Sequence, residues 1–99
     1  MIKLLNFDSP NMILVSSPLN GNNYVTWSRS MVIALKTKDK LEFINGKCKV
    51  PEQNDKSYEE WQKADNMVMS WILNTLSKDL VEAFLYATNA YELSEELKS

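Results

Sequence analysis

Histidine is absent from this sequence, cysteine occurs once and glycine only twice. Histidine is the commonest general base and a frequent zinc ligand, so its absence removes Ser–His and Cys–His nucleophile pairs and most zinc sites. A single cysteine cannot form a thiolate cluster, and two isolated glycines cannot build a glycine-rich phosphate loop. We therefore expect no catalytic residue, no cofactor, no metal site and no small-molecule substrate.

Long apolar runs are also absent. No stretch approaches the roughly 20 apolar residues of a membrane span, and the N-terminal MIKLLNF lacks the features of a signal peptide. The lone Cys48 suits a reducing compartment. Its neighbours Lys47 and Lys49 could activate the thiol, but an inert loop thiol is the expectation because nothing beside it would use a thiolate. We expect a cytoplasmic protein that makes no membrane contact.

Each half of the chain is short of one sign of charge: acidic residues are few in the first half, and basic residues are few in the second. Residues 1–50 hold seven basic and three acidic residues, whereas residues 51–99 hold four basic and ten acidic residues. The net charge is −2, which shows no global nucleic-acid footprint. This polarity could favour head-to-tail contact between copies, although two solvated helix faces are the favoured explanation.

Aromatic residues are plentiful, by contrast: ten of the 99 residues are Phe, Trp or Tyr. Residues 58–76 carry two of the three tryptophans, and their apolar positions recur at helical spacing on two adjoining faces. The two stripes are Tyr58, Trp61, Val68, Ile72 and Leu76, and beside them Ala64, Met67, Trp71 and Thr75. A helix that is apolar on two faces cannot lie on a surface. We therefore expect it to be the central helix of a bundle.

The remaining patterns predict further helices around this one. A stripe of Tyr24, Trp27, Met31 and Leu35 predicts the first, and Asp39 with Glu42 has the capping-box spacing that would begin a short second helix. The predicted fold class is all-α, a small orthogonal or antiparallel bundle of about five helices. Their approximate bounds are 24–38, 40–44, 58–76, 78–86 and 90–98.

An extended arm, residues 1–18, is predicted ahead of a single helical domain at residues 19–99. Pro10 and Pro18 bracket a short apolar run, which favours an extended segment over a helix. The run consists of Met12, Ile13, Leu14 and Val15. It either docks on its own domain, which we slightly favour, or acts as an assembly arm that meets another molecule.

Asp65 is the position that breaks the apolar pattern of the central helix. It lies in the stripe between Trp61 and Val68, and a buried carboxylate needs hydrogen-bond partners because its desolvation alone is costly. We expect it to accept a hydrogen bond from the first helix or the turn before it, and so to fix the register of two helices. The candidate donors are the Trp27 indole, Ser28, Arg29 and a backbone amide near Asn22. The alternative is a rotated stripe that leaves Asp65 at a wet edge.

Basic residues cluster around the predicted short helix, and such a cluster could contact RNA phosphates. The cluster consists of Lys36, Lys38, Lys40, Lys47 and Lys49. Phe43 is the one aromatic residue among them, and the core is expected to take it, which leaves no ring on which bases could stack. Solvated lysines with weak RNA contact at most are therefore the expectation.

Two groups of motifs follow one another at characteristic spacing. The first runs Leu14-Val15-Ser16, Pro18-Leu19-Asn20-Gly21-x-Asn23-Tyr24-x-x-Trp27-Ser28-Arg29-Ser30-Met31, Ala34-Leu35 and Lys38-x-Lys40-Leu41-x-Phe43-Ile44-x-Gly46. The second runs Trp61-x-x-x-Asp65-x-Met67-Val68-x-Ser70-Trp71-Ile72-Leu73-Asn74, Leu85-Tyr86-Ala87 and Glu92-Leu93. Together they resemble the N-terminal Gag domain of plant copia-type LTR retrotransposons, from about Asn11 onwards.

The resemblance implies an all-helical, capsid-like domain that associates with itself or with another Gag-like protein. In such elements Gag packs around the element's RNA, which a downstream zinc knuckle binds most clearly. The core positions that match the family motif are Tyr24, Trp27, Met31, Leu35, Trp61, Asp65, Val68, Trp71 and Ile72. The alternatives are a protein- or peptide-binding module that caps or inhibits Gag assembly and, third, a weak RNA-binding domain.

One position departs from the family pattern. Ser94 stands where the family typically has a tryptophan. Replacing a core tryptophan by a small residue costs about 3–5 kcal/mol, so we expect the last helix to dock less firmly. The departure also suggests a remnant or domesticated copy that is no longer held to particle assembly.

Overall fold

The computed structural model describes residues 13–15 and 17–98, and over these residues the chain is helical. Four α-helices form there, α1 at Tyr24–Thr37, α2 at Tyr58–Leu73, α3 at Lys78–Phe84 and α4 at Ala90–Lys98. The all-α fold class is thereby confirmed. The predicted count of five was slightly wrong, because the segment expected to be a helix at 40–44 is a single 3-10 turn, Leu41–Phe43.

Asp39 explains why no second α-helix begins after α1. Its φ of 57° is left-handed, and it follows the last turn of α1. The Lys40 amide donates to the Leu35 carbonyl at 2.8 Å and the Asp39 amide to the Lys36 carbonyl at 3.1 Å. These two bonds form the Schellman arrangement that ends a helix. Asp39 therefore terminates α1, and the capping box predicted with Glu42 was wrong.

The segment before α1 is fastened to the end of α2. The Leu19 amide donates to the Thr75 carbonyl at 2.7 Å, and the Ser77 amide donates to the Leu19 carbonyl at 3.0 Å. This pairing is an isolated parallel bridge between Leu19 and Leu76. It takes the backbone groups that a continuing helix would need, which explains why α2 ends at Leu73 and not at residue 76.

The core forms around α2. Val68, Trp71 and Ile72 are almost fully buried, and Ala64 lies among them. The other helices and the first segment add apolar residues that are also buried: Val15, Leu19, Trp27, Met31, Leu35, Phe43, Trp61, Leu76, Ala90, Leu93 and Leu97. Tyr24 is only half-buried and contacts the Trp27 ring at a centroid distance of 6.0 Å.

A buried hydrogen bond joins α1 to the end of α2. The Trp27 indole Nε1 donates to Thr75 Oγ1 at 2.9 Å, and the Thr75 hydroxyl donates to the Ile72 carbonyl at 2.6 Å. A buried indole N–H usually finds such a partner. Thr75, whose side chain is almost fully buried, thus fixes the position of α1 against α2.

Candidate interaction surface

Asp65 is buried, as its place in the stripe predicts, but its partner is not in α1. One of its carboxylate oxygens accepts a hydrogen bond from the Ala90 amide at 3.2 Å. Ala90 is the first residue of α4, where free amides and the helix dipole favour a negative partner. The prediction that Trp27, Ser28, Arg29 or an amide near Asn22 donates to Asp65 was therefore wrong. Through its hydrogen bond to the Ala90 amide, Asp65 orients α4 on α2.

Burial raises the pKa of the Asp65 carboxyl above its usual value, and the hydrogen bond from the Ala90 amide opposes part of that rise. The folded state therefore holds this proton more tightly than the unfolded state. The contribution of Asp65 to stability is greatest in acid and falls as the pH rises from about 4 through the raised pKa.

We expect Asp65→Asn to gain stability relative to the wild type as the pH rises. The amide oxygen can still accept from Ala90, but the side chain cannot ionise. Urea unfolding of both proteins at about pH 4 and about pH 7 measures this difference. Asp65→Ala is the control: it removes the acceptor but cannot ionise either, so it should be less stable than Asp65→Asn by about 1–3 kcal/mol at both pH values. A difference between Asn and wild type that does not change with pH would contradict the assignment.

An apolar pocket opens between α1 and α4. Its volume is about 260 Å³, and its walls comprise Tyr24, Trp27, Met31, Leu41, Ile44 and Ile72. Ser94 borders it from α4, and the exposed residues Asn45 and Lys98 also line it. We call this cavity the α1–α4 pocket.

Ser94 lies at this pocket, where the resemblance implies a large aromatic residue. Its hydroxyl lies 3.2 Å from the Ile44 carbonyl and 3.0 Å from the Tyr91 carbonyl. The helix is nevertheless seated on the core, because Ala90, Leu93 and Leu97 are buried. The small side chain of Ser94 therefore lies at the α1–α4 pocket, while α4 itself remains packed on the core.

The region around α3 exposes apolar side chains. None of the seven described residues of α3 is fully buried, and Leu80, Val81 and Phe84 are half-buried. Just after the helix, 50% of Leu85 and 87% of Tyr86 are exposed. Large apolar residues that remain exposed together commonly mark a contact surface. Sequence periodicity assigned 78–86 to a helix but gave no sign that Tyr86 would lie in solvent.

The predicted lysine cluster is only partly available to a ligand. Lys36, Lys47 and Lys49 are exposed and Lys38 is half-buried. Lys40 is only 3% exposed, and its Nζ donates to the Lys38 carbonyl at 3.2 Å. Lys40 is therefore too buried to contact a phosphate. The possible phosphate contacts that remain are Lys36, Lys38, Lys47 and Lys49.

Cys48 faces the central helix from the loop after the 3-10 turn. Burial is the largest influence on its thiol and raises the pKa, while contact with the Trp61 indole lowers it in part. Trp61 Nε1 is buried and has no hydrogen-bond partner of standard geometry among the described residues. The pKa of the thiol is therefore raised even though Lys47 and Lys49 flank it in sequence.

The proposed assembly arm is described only in part. Met12 lies outside the described residues, while Ile13 is exposed, Leu14 is half-buried and Val15 belongs to the core. Leu14 and Val15 also line a small cavity against Trp27 and Ser30 of α1. At Val15 the arm thus packs on its own domain.

Metal-binding clusters and membrane-spanning helices are both absent from residues 13–15 and 17–98. No group of three or more acidic or cysteine side chains there is arranged to hold a metal ion. Across the same residues, no helix has the length and apolar character needed to cross a membrane.

These features define a small all-α domain with a tryptophan-rich core, an apolar pocket between two helices and an exposed tyrosine. The family model of the Gag-polypeptide of LTR copia-type matches residues 5–52. This match supports a copia-type Gag-like domain, as the first group of motifs indicated. The match extends through α1 and the 3-10 turn, and residues 53–99 lie outside it. Searches among curated proteins and among solved structures returned no match.

Proposed function

We propose that this chain is a self-associating, Gag-related module that works by contact between copies and not by turnover. The observation that carries the proposal is the exposure of large apolar side chains at two separate places. Val25 and Ile33 of α1 are 81% and 53% exposed, and Leu85 and Tyr86 lie open beyond α3. Two separate apolar surfaces on one small domain allow each copy to contact two others.

The charge distribution supports the same proposal. Positions 1–50 hold seven basic and three acidic residues and positions 51–99 hold four basic and ten acidic ones, so the two ends of the sequence carry opposite net charge. Opposite charges steer two copies together and disfavour contact between like ends. The match to a Gag family agrees with a role in assembly. We propose that this assembly takes place in the cytoplasm.

Light scattering of the purified chain over increasing concentration tests self-association. We expect the mean particle mass to grow with concentration and to fall when salt is added, because salt screens contacts between exposed charges. A mass that stays constant over the whole range would contradict the proposal.

A protein- or peptide-binding module is the second candidate, and the α1–α4 pocket favours it. Apolar grooves between helices commonly accept the anchoring side chains of a partner segment. On this account the chain would remain monomeric by itself and would bind full-length Gag to block its assembly. RNA binding is the third candidate, and retention on RNA that falls steeply with salt would favour it.

A further inference from the structure

The outer face of α1 combines apolar side chains with a positive charge. Val25, Arg29 and Ile33 are all exposed and follow one another at intervals of four residues, so they form one row about 12 Å long. Helix α1 contains no acidic residue, and Arg29 forms no ion pair with another described residue. Lys36 lies near Asp39 in a surface depression, so its charge is partly offset. The free charge of this face is therefore that of Arg29, between two exposed apolar side chains.

The outer face of α3 combines apolar side chains with negative charge. Asp79 and Glu82 are exposed and lie one turn apart, and neither forms an ion pair with another described residue. Leu85 and Tyr86 are exposed directly after the helix, and the backbone of Leu85 is still helical. Lys78, the first residue of α3, is its one basic residue. The face therefore carries a net negative charge beside two large exposed apolar side chains.

The acidic residues of the other helices are less suited to meet α1. In α4, Glu92 accepts a hydrogen bond from the Thr88 hydroxyl at 2.8 Å, and Glu95 pairs with Lys98 at 2.7 Å. Glu96 of the same helix also has a partner. Helix α2 has acidic residues as well, but none of its large apolar side chains is exposed. Helix α3 is therefore the acidic helix that offers free charges together with exposed apolar surface.

Repulsion between like faces decides which pairing is possible. Arg29 lies in the middle of its row, so two α1 faces packed antiparallel would bring two guanidinium groups together. Two α3 faces would bring the carboxylates of Asp79 and Glu82 together in the same way. Like charges that meet in an interface suppress such pairings. An α1 face on an α3 face instead joins opposite charges, and α3 is about 10 Å long, which matches the row on α1.

We propose that the outer face of α1 in one copy packs on the outer face of α3 in the next. The inference rests on the proposed self-association and names the surfaces that perform it. Because the two faces differ, the contact is head-to-tail, and the growing assembly keeps one free α1 face and one free α3 face. Such contacts build rings or open filaments instead of closed dimers.

Reversal of the charges tests this contact at exposed positions, which tolerate substitution. Arg29→Glu makes the α1 face acidic, and Glu82→Arg makes the α3 face basic on balance. We expect each variant alone to lose at least about fivefold in association constant at low salt, because an attraction becomes a repulsion. A mixture of the two variants should recover association, since the acidic α1 face of one then meets the basic α3 face of the other. The double variant should recover it by itself for the same reason.

Sedimentation velocity on the folded variants, with helix content checked by circular dichroism, measures the association. Lys63→Glu and Glu52→Arg are the matched controls, because they change the net charge by the same amounts at exposed positions outside both faces. Both should associate like the wild type.

The outcomes separate the contact from the proposed function. Association of Arg29→Glu or Glu82→Arg at the wild-type level would overturn the contact and leave the proposed function standing. Failure of the mixture or of the double variant to recover association would do the same, because the two faces would then not be partners. A wild type that never associates would instead overturn the proposed function itself, and the contact with it.

Discussion

Replacing Trp71 by alanine is expected to unfold a large fraction of the molecules at physiological temperature. The side chain is fully buried and is the largest in the centre of the core. Removing a core tryptophan costs about 3–5 kcal/mol, because transfer energy is lost and a cavity remains. The total stability of a small domain is about 5–15 kcal/mol, so one such loss consumes much of it.

Urea unfolding followed by circular dichroism measures this effect, and Val25→Ala is the matched control. Val25 lies on the outer face of α1 and is largely exposed, so its truncation should change the free energy of unfolding by no more than about 0.5 kcal/mol. A midpoint for Trp71→Ala close to that of the wild type would show that α2 is not the centre of the core.

Leu93→Ala is expected to release α4 and to destabilise the whole domain by about 2–5 kcal/mol. Leu93 is fully buried against the core, and the helix is otherwise seated by Ala90, Leu97 and the hydrogen bond that the Ala90 amide donates to Asp65. Because the α1–α4 pocket lies beside Ser94, α4 has few further contacts that could compensate for the loss of the Leu93 side chain. The loss should therefore lie towards the upper part of this range.

Leu85→Ala removes the same atoms from a half-exposed side chain and provides the control. We expect its cost to be well below that of Leu93→Ala in the same urea titration, because a partly hydrated leucine has less to lose. Hydrogen exchange should also speed up along Ala90–Lys98 in the Leu93 variant. Equal effects of the two substitutions would contradict the docking of α4.

The helices themselves could be predicted because their apolar positions repeat with the helical period. The stripe through Trp61, Val68 and Ile72 needs only local spacing to recognise, and α2 begins at Tyr58 as expected. The start of α4 was likewise predictable. The side chain of Asn89 accepts from the Glu92 amide at 2.7 Å, which is the usual way a cap begins a helix.

Features decided by distant contacts could not be predicted in this way. The end of α2 depends on Leu19, more than 50 residues earlier in the chain, whose backbone pairs with Thr75 and Ser77. The partner of Asp65 lies in α4, and periodicity shows that the carboxylate is buried without showing which helix reaches it. The burial of Lys40 likewise follows from the tight turn at Asp39, a conformation that its residue type permits but does not require.

The proposed interaction surface was only partly visible from the sequence. The departure at Ser94 pointed to a loss of packing near the last helix, and the α1–α4 pocket lies there. The exposure of Tyr86 had no such signal, because a tyrosine near the end of a helix is found in cores and on surfaces alike. Only the fold separates the two cases.

We propose that this domain functions by contact between its own copies. Sedimentation equilibrium of the unmodified chain over a hundredfold range of loading concentrations tests it most directly. We expect a weight-average mass that rises from 11.4 kDa, the mass of one chain, through the dimer and beyond it without a plateau. A mass that stays at 11.4 kDa at every concentration would show that the domain does not associate with itself.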